Sequence, residues 1–308
     1  MSVSTSSKDI GAEGIDQLRD EERIKKALEK TTGFPLELEV GSVLRSRGYQ
    51  VYGNAIFNDG ELIREIDIEA MHPTEESLVE RKWYLLSNLV IECKMSRKYS
   101  WVFYRNVDTE RRAMCAQTID PICLRFDRQN HLLYLGLFER YFTEHVCSSH
   151  TVLDAADGRV ASRDDIFDAV NKVSKFVSYR LAGIRNAYGP SRRDMIFFFP
   201  VIVFDGPIYE SEHRSGALYV KAVDRTILRV GVVSCLSGRL SPMYIDVIRR
   251  DRFASLLSFI ESKTNSVNGM LANKKVRDIL EKARSAADLM SSCREVGLIA
   301  RYSHRAKR

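Results

Sequence analysis

The segment Leu85–Cys93 constrains this chain most. It is a near-continuous apolar run of strand length, too apolar for a strand with one wet face, and so predicts a central strand covered on both sides. A strand of that kind needs a sheet around it and helices above and below. The run also ends in Glu92-Cys93-Lys94, which places two charged side chains at the tip of a buried element. A chain of 308 residues has room for two average domains or one α/β domain with insertions.

The flanking pattern fits the second option. Ile15, Leu18, Ile24 and Leu28 recur near helical spacing up to Gly33, and Leu36, Val40, Val43 and Leu44 mark a second helix over 35–47 that stops at Gly48. The period then changes to two. Tyr49–Phe57 and Glu61–Ala70 alternate around Asn58-Asp59-Gly60, which predicts a β-hairpin, and 72–82 form a charged excursion before the apolar strand. Further on, 108–118 and 163–187 read as helices, the latter with Ser162 as its cap. Met195–Phe204 reads as a second buried strand. Ala217–Val223 and Thr226–Cys235 flank a tight turn and are expected to pair, and Met243–Ile248 is another strand. Helices over about 252–262 and 269–293 and a basic tail complete the chain. The expected architecture is α/β, a central mixed β-sheet flanked by helices, with helical additions at both termini. It divides into an N-terminal tail and helix (1–32), one α/β domain with insertions (33–265) and a C-terminal helix with basic tail (266–308).

Composition excludes several classes. With 44% hydrophobic and 29% charged residues the chain is neither disordered nor fibrous. No apolar run reaches the roughly 18 residues of a membrane span, so no membrane partner is expected. The polar start carries no signal-peptide pattern, and the six cysteines form no C-x-x-C pair; an intracellular, cytoplasmic protein with reduced thiols is expected. No P-loop or G-x-S-x-G motif occurs. The net charge of +6 permits a polyanionic partner, and basic clusters at Arg45/Arg47, Arg97/Lys98, Arg111/Arg112, Arg192/Arg193 and Arg249/Arg250/Arg252 make nucleic acid the leading candidate.

Chemistry concentrates on two strands. Glu92 and Lys94 point to one face with Cα atoms about 6.6 Å apart. Alternation places Glu65, Asp67 and Glu69 together, opposite Arg64, Ile66 and Ile68. If the strands are neighbours, Asp67 and Glu92 converge at one end of the sheet, and Glu39 can join them from the preceding helix. Two carboxylates 4 Å apart repel by about 4 kcal/mol at an effective dielectric of 20. A divalent cation relieves that repulsion, and an all-oxygen ligand set favours Mg²⁺ or Mn²⁺ over zinc. A lysine two residues beyond the glutamate can then orient water or stabilise charge on a pentavalent phosphorus.

The helix containing Glu39, the phrase Arg47-Gly48-Tyr49, then Glu65-Ile66-Asp67 and Ile91-Glu92-Cys93-Lys94 occur in an order that resembles the PD-(D/E)xK nuclease superfamily, the restriction-endonuclease-like fold, and most closely its Mrr-like branch. The resemblance covers about residues 33–105. Ile66 stands where many members have proline, and the stretch from Asp67 to Glu92 is longer than compact members use. The resemblance implies Asp67 and Glu92 as metal ligands with the Cys93 backbone carbonyl, Lys94 as the catalytic lysine and Glu39 as an auxiliary acid. It further implies a Mg²⁺- or Mn²⁺-dependent nuclease, foremost a DNA endonuclease, with a role in defence against foreign DNA. An RNA- or single-strand-specific nuclease of the same fold, and a catalytically silent nucleic-acid-binding subunit, remain open. So do a homo-oligomer and an activating partner protein.

Two other features have plainer expectations. Trp101-Val102-Phe103-Tyr104 is expected to pack in the core, although aromatics beside Arg97 and Lys98 could also stack on bases. His145, Cys147 and His150 lack a fourth metal ligand and are expected in a loop.

Overall fold

The computed structural model describes residues 12–31, 33–73, 83–105, 119–120, 146–162, 164–187, 193–233 and 240–272. In chain order these form α1 (Ala12–Thr31), α2 (Phe34–Ser46), β1 (Gln50–Asn58), β2 (Ile63–Pro73), β3 (Trp83–Met95), β4 (Tyr99–Arg105), β5 (Ile119–Asp120), β6 (Val146–Asp154), α3 (Asp165–Ala187), β7 (Arg193–Asp205), β8 (Ile208–Arg214), β9 (Ala217–Val223), β10 (Arg225–Val233), β11 (Leu240–Arg249), a 3₁₀ turn (Arg250–Arg252) and α4 (Phe253–Ala272).

All strands among the described residues join one mixed sheet ordered β1-β2-β3-β7-β11-β10-β6-β4-β8-β9, with β5 paired to β7. The apolar run sits near its centre of support. β3 pairs in parallel with β7 from Trp83↔Arg193 to Met95↔Asp205, and antiparallel with β2 on its other side. Its side chains alternate between two covered faces. Val90 joins Phe198, Ile202 and the α3 residues Ile166, Val173 and Phe176 in one cluster. On the other face Ser87 hydrogen-bonds Thr264 of α4 at 2.9 Å, and Arg47, just after α2, reaches Glu261 of α4 at 2.8 Å. Buried Leu36, Val40 and Leu44 hold α2 down; full burial of such a side chain stabilises by about 1.5–3 kcal/mol. The chain is therefore α/β with a central mixed sheet flanked by helices.

Gly48, at φ +82°, ends α2 and turns the chain into β1. Gly206 has a different constraint. A Cβ there would lie 2.7 Å from the Ser96 carbonyl oxygen, so only glycine lets the β3–β4 connection pass this close to the end of β7.

Several expectations need correction. Ala217–Val223 does not pair with the strand after it: β9 folds back on β8 through Ser215-Gly216, and β10 pairs with β11 and β6. The turn residues with positive φ lie before β9, and these set the hairpin. The α3 cap is Asp164, whose Oδ1 accepts from the Phe167 N–H at 2.9 Å, rather than Ser162. Cys147 and His150 lie on strand β6 rather than in a loop, Cys147 against Thr226 at 3.3 Å and His150 against Asp164 at 3.1 Å. The expected boundary after residue 265 falls inside α4. Trp101 and Phe103 are fully buried, as core packing requires, with the Trp101 ring stacked 3.8 Å from Phe204. Cys93 and Cys147 are free thiols. No helix among the described residues is long and apolar enough to cross a membrane. The helices expected separately over 252–262 and 269–293 are not parted at 263–268, where α4 runs on unbroken to Ala272, and the excursion expected from residue 72 begins after Pro73, where β2 ends. The helix expected over 108–118, residues 273–293, residues 74–82, Arg111/Arg112, Arg192, His145 and the basic tail lie outside the described residues.

Candidate active site

The site forms where the β2–β3 ladder stops. The last antiparallel pair is Ile68↔Ile91. Beyond it the Asp67 carboxylate accepts the Cys93 N–H at 2.7 Å through Oδ2, taking over the backbone donor that the next ladder bond would have used. That contact fixes Asp67 beside Glu92. It also gives Cys93 a backbone role through its amide, different from the carbonyl role expected.

Strict alternation fails at this point. Ile66 packs into the α3 cluster, yet its neighbour Asp67 also reaches α3, with Oδ1 4.0 Å from the Lys172 ammonium, and Glu69 pairs with Arg180 of α3 at 2.7 Å. Across the hairpin Asn54 falls between the pairs Gly53↔Ile68 and Ala55↔Ile66 and has a left-handed φ of +52°. A local kink in β1 thus accompanies the change of direction in β2.

Glu92 is completely buried. Its Oε1 receives two ammonium groups, Lys94 at 2.9 Å and Lys172 at 2.7 Å, while its Oε2 has no hydrogen-bond partner. Burial raises the pKa of both acids. At Glu92 the Asp67 charge adds to that, and Lys94 and Lys172 oppose it. At Asp67 the Cys93 N–H and the two lysines oppose it. For Lys172, burial alone would lower the pKa, but the hydrogen bond to Glu92 and the charges of Glu92, Asp67 and Glu65 hold it above its ordinary value. Burial raises the Cys93 thiol well above its usual range, so it is an inert core side chain.

Asp67, Glu92 and Lys94 therefore come together as expected, and Glu39 does not. Its carboxylate is held by Arg250, with one N–H···O contact of 3.0 Å, and Arg250 also binds Asp205 at 3.1 Å. Glu37 is the α2 acid that faces the cluster. Its pKa is pushed up to about 7 by burial and by the charges of Asp67, Glu92 and Glu65. Glu37 and Asp67 also line one cleft of about 240 Å³ between α2 and β1. The phase of α2 decides between the two acids. At about 100° per residue Glu37 falls within the buried Leu36–Val40–Gly41–Leu44 stripe, between Leu44 and Gly41, and Glu39 falls outside it. The stripe was visible in the sequence and would have selected Glu37. Lys172 was not so visible, since nothing local ties a helical lysine to a carboxylate 80 residues earlier.

Among the described residues no three His, Cys, Asp or Glu side chains group closely enough to form a metal site by themselves. The donor set here is a carboxylate pair. Mg²⁺ commonly takes one or two carboxylates and fills its remaining positions with water and substrate phosphate oxygens, so a carboxylate pair is a donor set that fits that ion. No protein-family model, curated protein or solved structure matches the chain.

Proposed function

We propose that the protein is a metal-dependent nuclease of the PD-(D/E)xK type that hydrolyses phosphodiester bonds in nucleic acid, with DNA the substrate implied by the resemblance. The observation that carries this reading is the buried Glu92, shared by two lysines yet left with one unpartnered oxygen beside a second carboxylate, Asp67. Glu261, held by Arg47, also keeps one buried oxygen without a partner, so it is the second carboxylate beside Glu92 and the two lysines shared with it that set this pair apart.

Asp67 and Glu92 would hold Mg²⁺ or Mn²⁺. Bound there, such an ion polarises the phosphoryl oxygens and acidifies coordinated water. The chain's own groups do the rest. Lys94 and Lys172 bring two positive charges to the same carboxylate, placed to neutralise the charge that builds on the phosphorus oxygens. Lys94, less buried than Glu92, can also orient the attacking water. The Cys93 amide keeps Asp67 in place. Glu37 stands by the pair as an auxiliary acid in the part expected of Glu39. Glu39 instead braces α2 against Arg250.

Incubation with Mg²⁺ or Mn²⁺ and a panel of duplex DNA, single-stranded DNA and RNA tests the reading. Cleavage is expected with metal, none in EDTA, and none from Asp67→Asn or Lys94→Ala variants that keep the wild-type circular dichroism spectrum. Undiminished cleavage in EDTA or by Lys94→Ala refutes it. Binding of the same polymers without cleavage in any metal assigns the chain to a silent binding subunit instead.

A further inference from the structure

The cleft shared by Glu37 and Asp67 continues away from the acids along α2. There it is lined by Phe34, Leu38, Arg45 and Asn54. Phe34 and Leu38 are large apolar side chains left 55% and 67% exposed, although the same helix buries Leu36, Val40 and Leu44. Arg45 has no carboxylate partner among the described residues. Its guanidinium lies along the helix over Gly41, where a Cβ would stand 3.3 Å from Nη1. Asn54 sits at the kink opposite Asp67, with an amide that offers both a donor and an acceptor.

We propose that this cleft seats one unpaired nucleobase of a polynucleotide strand whose neighbouring phosphodiester lies against Asp67 and Glu92. The proposal rests on the nuclease reading and deepens it by naming the substrate as single-stranded or locally opened nucleic acid.

The occupant follows from the chemistry of the walls. An exposed ring and an aliphatic side chain suit a flat, apolar-faced group. A guanidinium plane stacks on such a group and attracts the phosphate attached to it. A lone amide reads the hydrogen-bonding edge of a base, and Asn is one of the side chains that can make two bonds to one base. A nucleotide joins an apolar face, a hydrogen-bonding edge and an anion in one unit, which no single peptide side chain does. A base inside a duplex cannot enter, because its faces are covered by neighbours and its edge by the partner strand. The cleft volume of about 240 Å³ is ample for one base. Because Asp67 lines the cleft and also belongs to the acid pair, a base seated here brings its own phosphate to the site.

Binding in EDTA separates this proposal from catalysis. Fluorescence anisotropy of the full chain would compare a short single strand, the same strand with abasic sites, and a blunt duplex. The single strand is expected to bind most tightly. Phe34→Ala should weaken it about tenfold, while Phe34→Tyr retains affinity and binding to the abasic strand is unchanged in both variants. A 2-aminopurine in the strand should lose emission on binding to wild type and keep it with Phe34→Ala. Equal affinity for the normal and abasic strands, no effect of Phe34→Ala, or no binding of any probe overturns the base seat. Self-association that is lost in Phe34→Ala, with oligonucleotide binding unaltered, assigns the cleft to a second copy of the chain. Metal-dependent cleavage that vanishes in Asp67→Asn leaves the nuclease reading standing whichever way the binding result falls.

Discussion

Helix α3 carries two lysines one turn apart that serve two almost inaccessible carboxylates, and the two pairs behave oppositely. Lys175 contacts Asp59 Oδ2 at 2.8 Å, where Arg64 also donates, while Asp59 Oδ1 accepts the backbone N–H groups of Glu61 and Leu62 at 2.9 and 2.8 Å. Every lone pair is used, and these bonds pull the Asp59 pKa well below the usual carboxylate range. Lys172 meets Glu92 one turn earlier. There the second carboxylate, Asp67, stands close, one oxygen has no partner, and burial holds the pKa up. A carboxylate that is saturated with donors closes a loop. One kept beside a like charge and left partly unsatisfied stays available for a ligand.

The sharpest test of this contrast exchanges the two lysines' fates. Lys172→Met is expected to lower metal-dependent cleavage per folded molecule by about 10²–10³-fold, the usual cost of losing one electrostatic stabiliser, with a fall in melting temperature because Glu92 stays buried with one donor fewer. Lys175→Met should lower the melting temperature as Asp59 loses a donor, while cleavage by the remaining folded protein stays within a few-fold of wild type. Equal effects on activity would erase the distinction between the pairs.

A smaller effect is expected with pH. The ordinary Glu37 value of 4.5 rises to about 7 in the folded chain, so between these values the folded state binds more protons than the unfolded one. On account of this group, stability falls as pH rises from about 4.5 to 7. Urea denaturation in EDTA should show that slope, and Glu37→Gln should flatten it. An unchanged slope would remove Glu37 from the acidic cluster. The smallest effect belongs to Arg250→Ala, which frees Glu39 and loosens α2 at the surface. Cleavage should drop only a few-fold, and a loss as large as that of Lys172→Met would place Arg250 in the site itself.

The sequence was most legible where one element answers for itself. The apolar run of β3, the Asn58-Asp59-Gly60 hairpin and the helical stripe of α3 were all visible, and Asp67, Glu92 and Lys94 meet because two adjacent strands carry them. Legibility ended where placement depends on the partner of an element. The alternation rule placed Arg64 and Ile66 on the face opposite Asp67, and a kink at Asn54 accompanies its failure. The choice of β9's partner depended on the Ser215-Gly216 turn, and β8 itself went unread. The resemblance implies Glu39 as the auxiliary acid, whereas rotation about the α2 axis, set by Leu36, Val40 and Leu44, turns Glu37 inward. Lys172 comes from a helix on the other side of the sheet, and only the packing of α3 across β2, β3 and β7 delivers it.

The long parallel seam between β3 and β7 ties Glu92 and Lys94 to the best-anchored strand in the sheet. Those backbone amides of Val90–Cys93 that face β7 can meet solvent deuterons only when that seam opens, which is close to opening the whole molecule, whereas the Cys93 N–H is guarded by the Asp67 carboxylate on the β2 side. Warming should therefore leave the reaction centre intact until the cooperative transition, with no partly melted yet folded intermediate that has lost it, in contrast to enzymes whose reacting groups sit on loops.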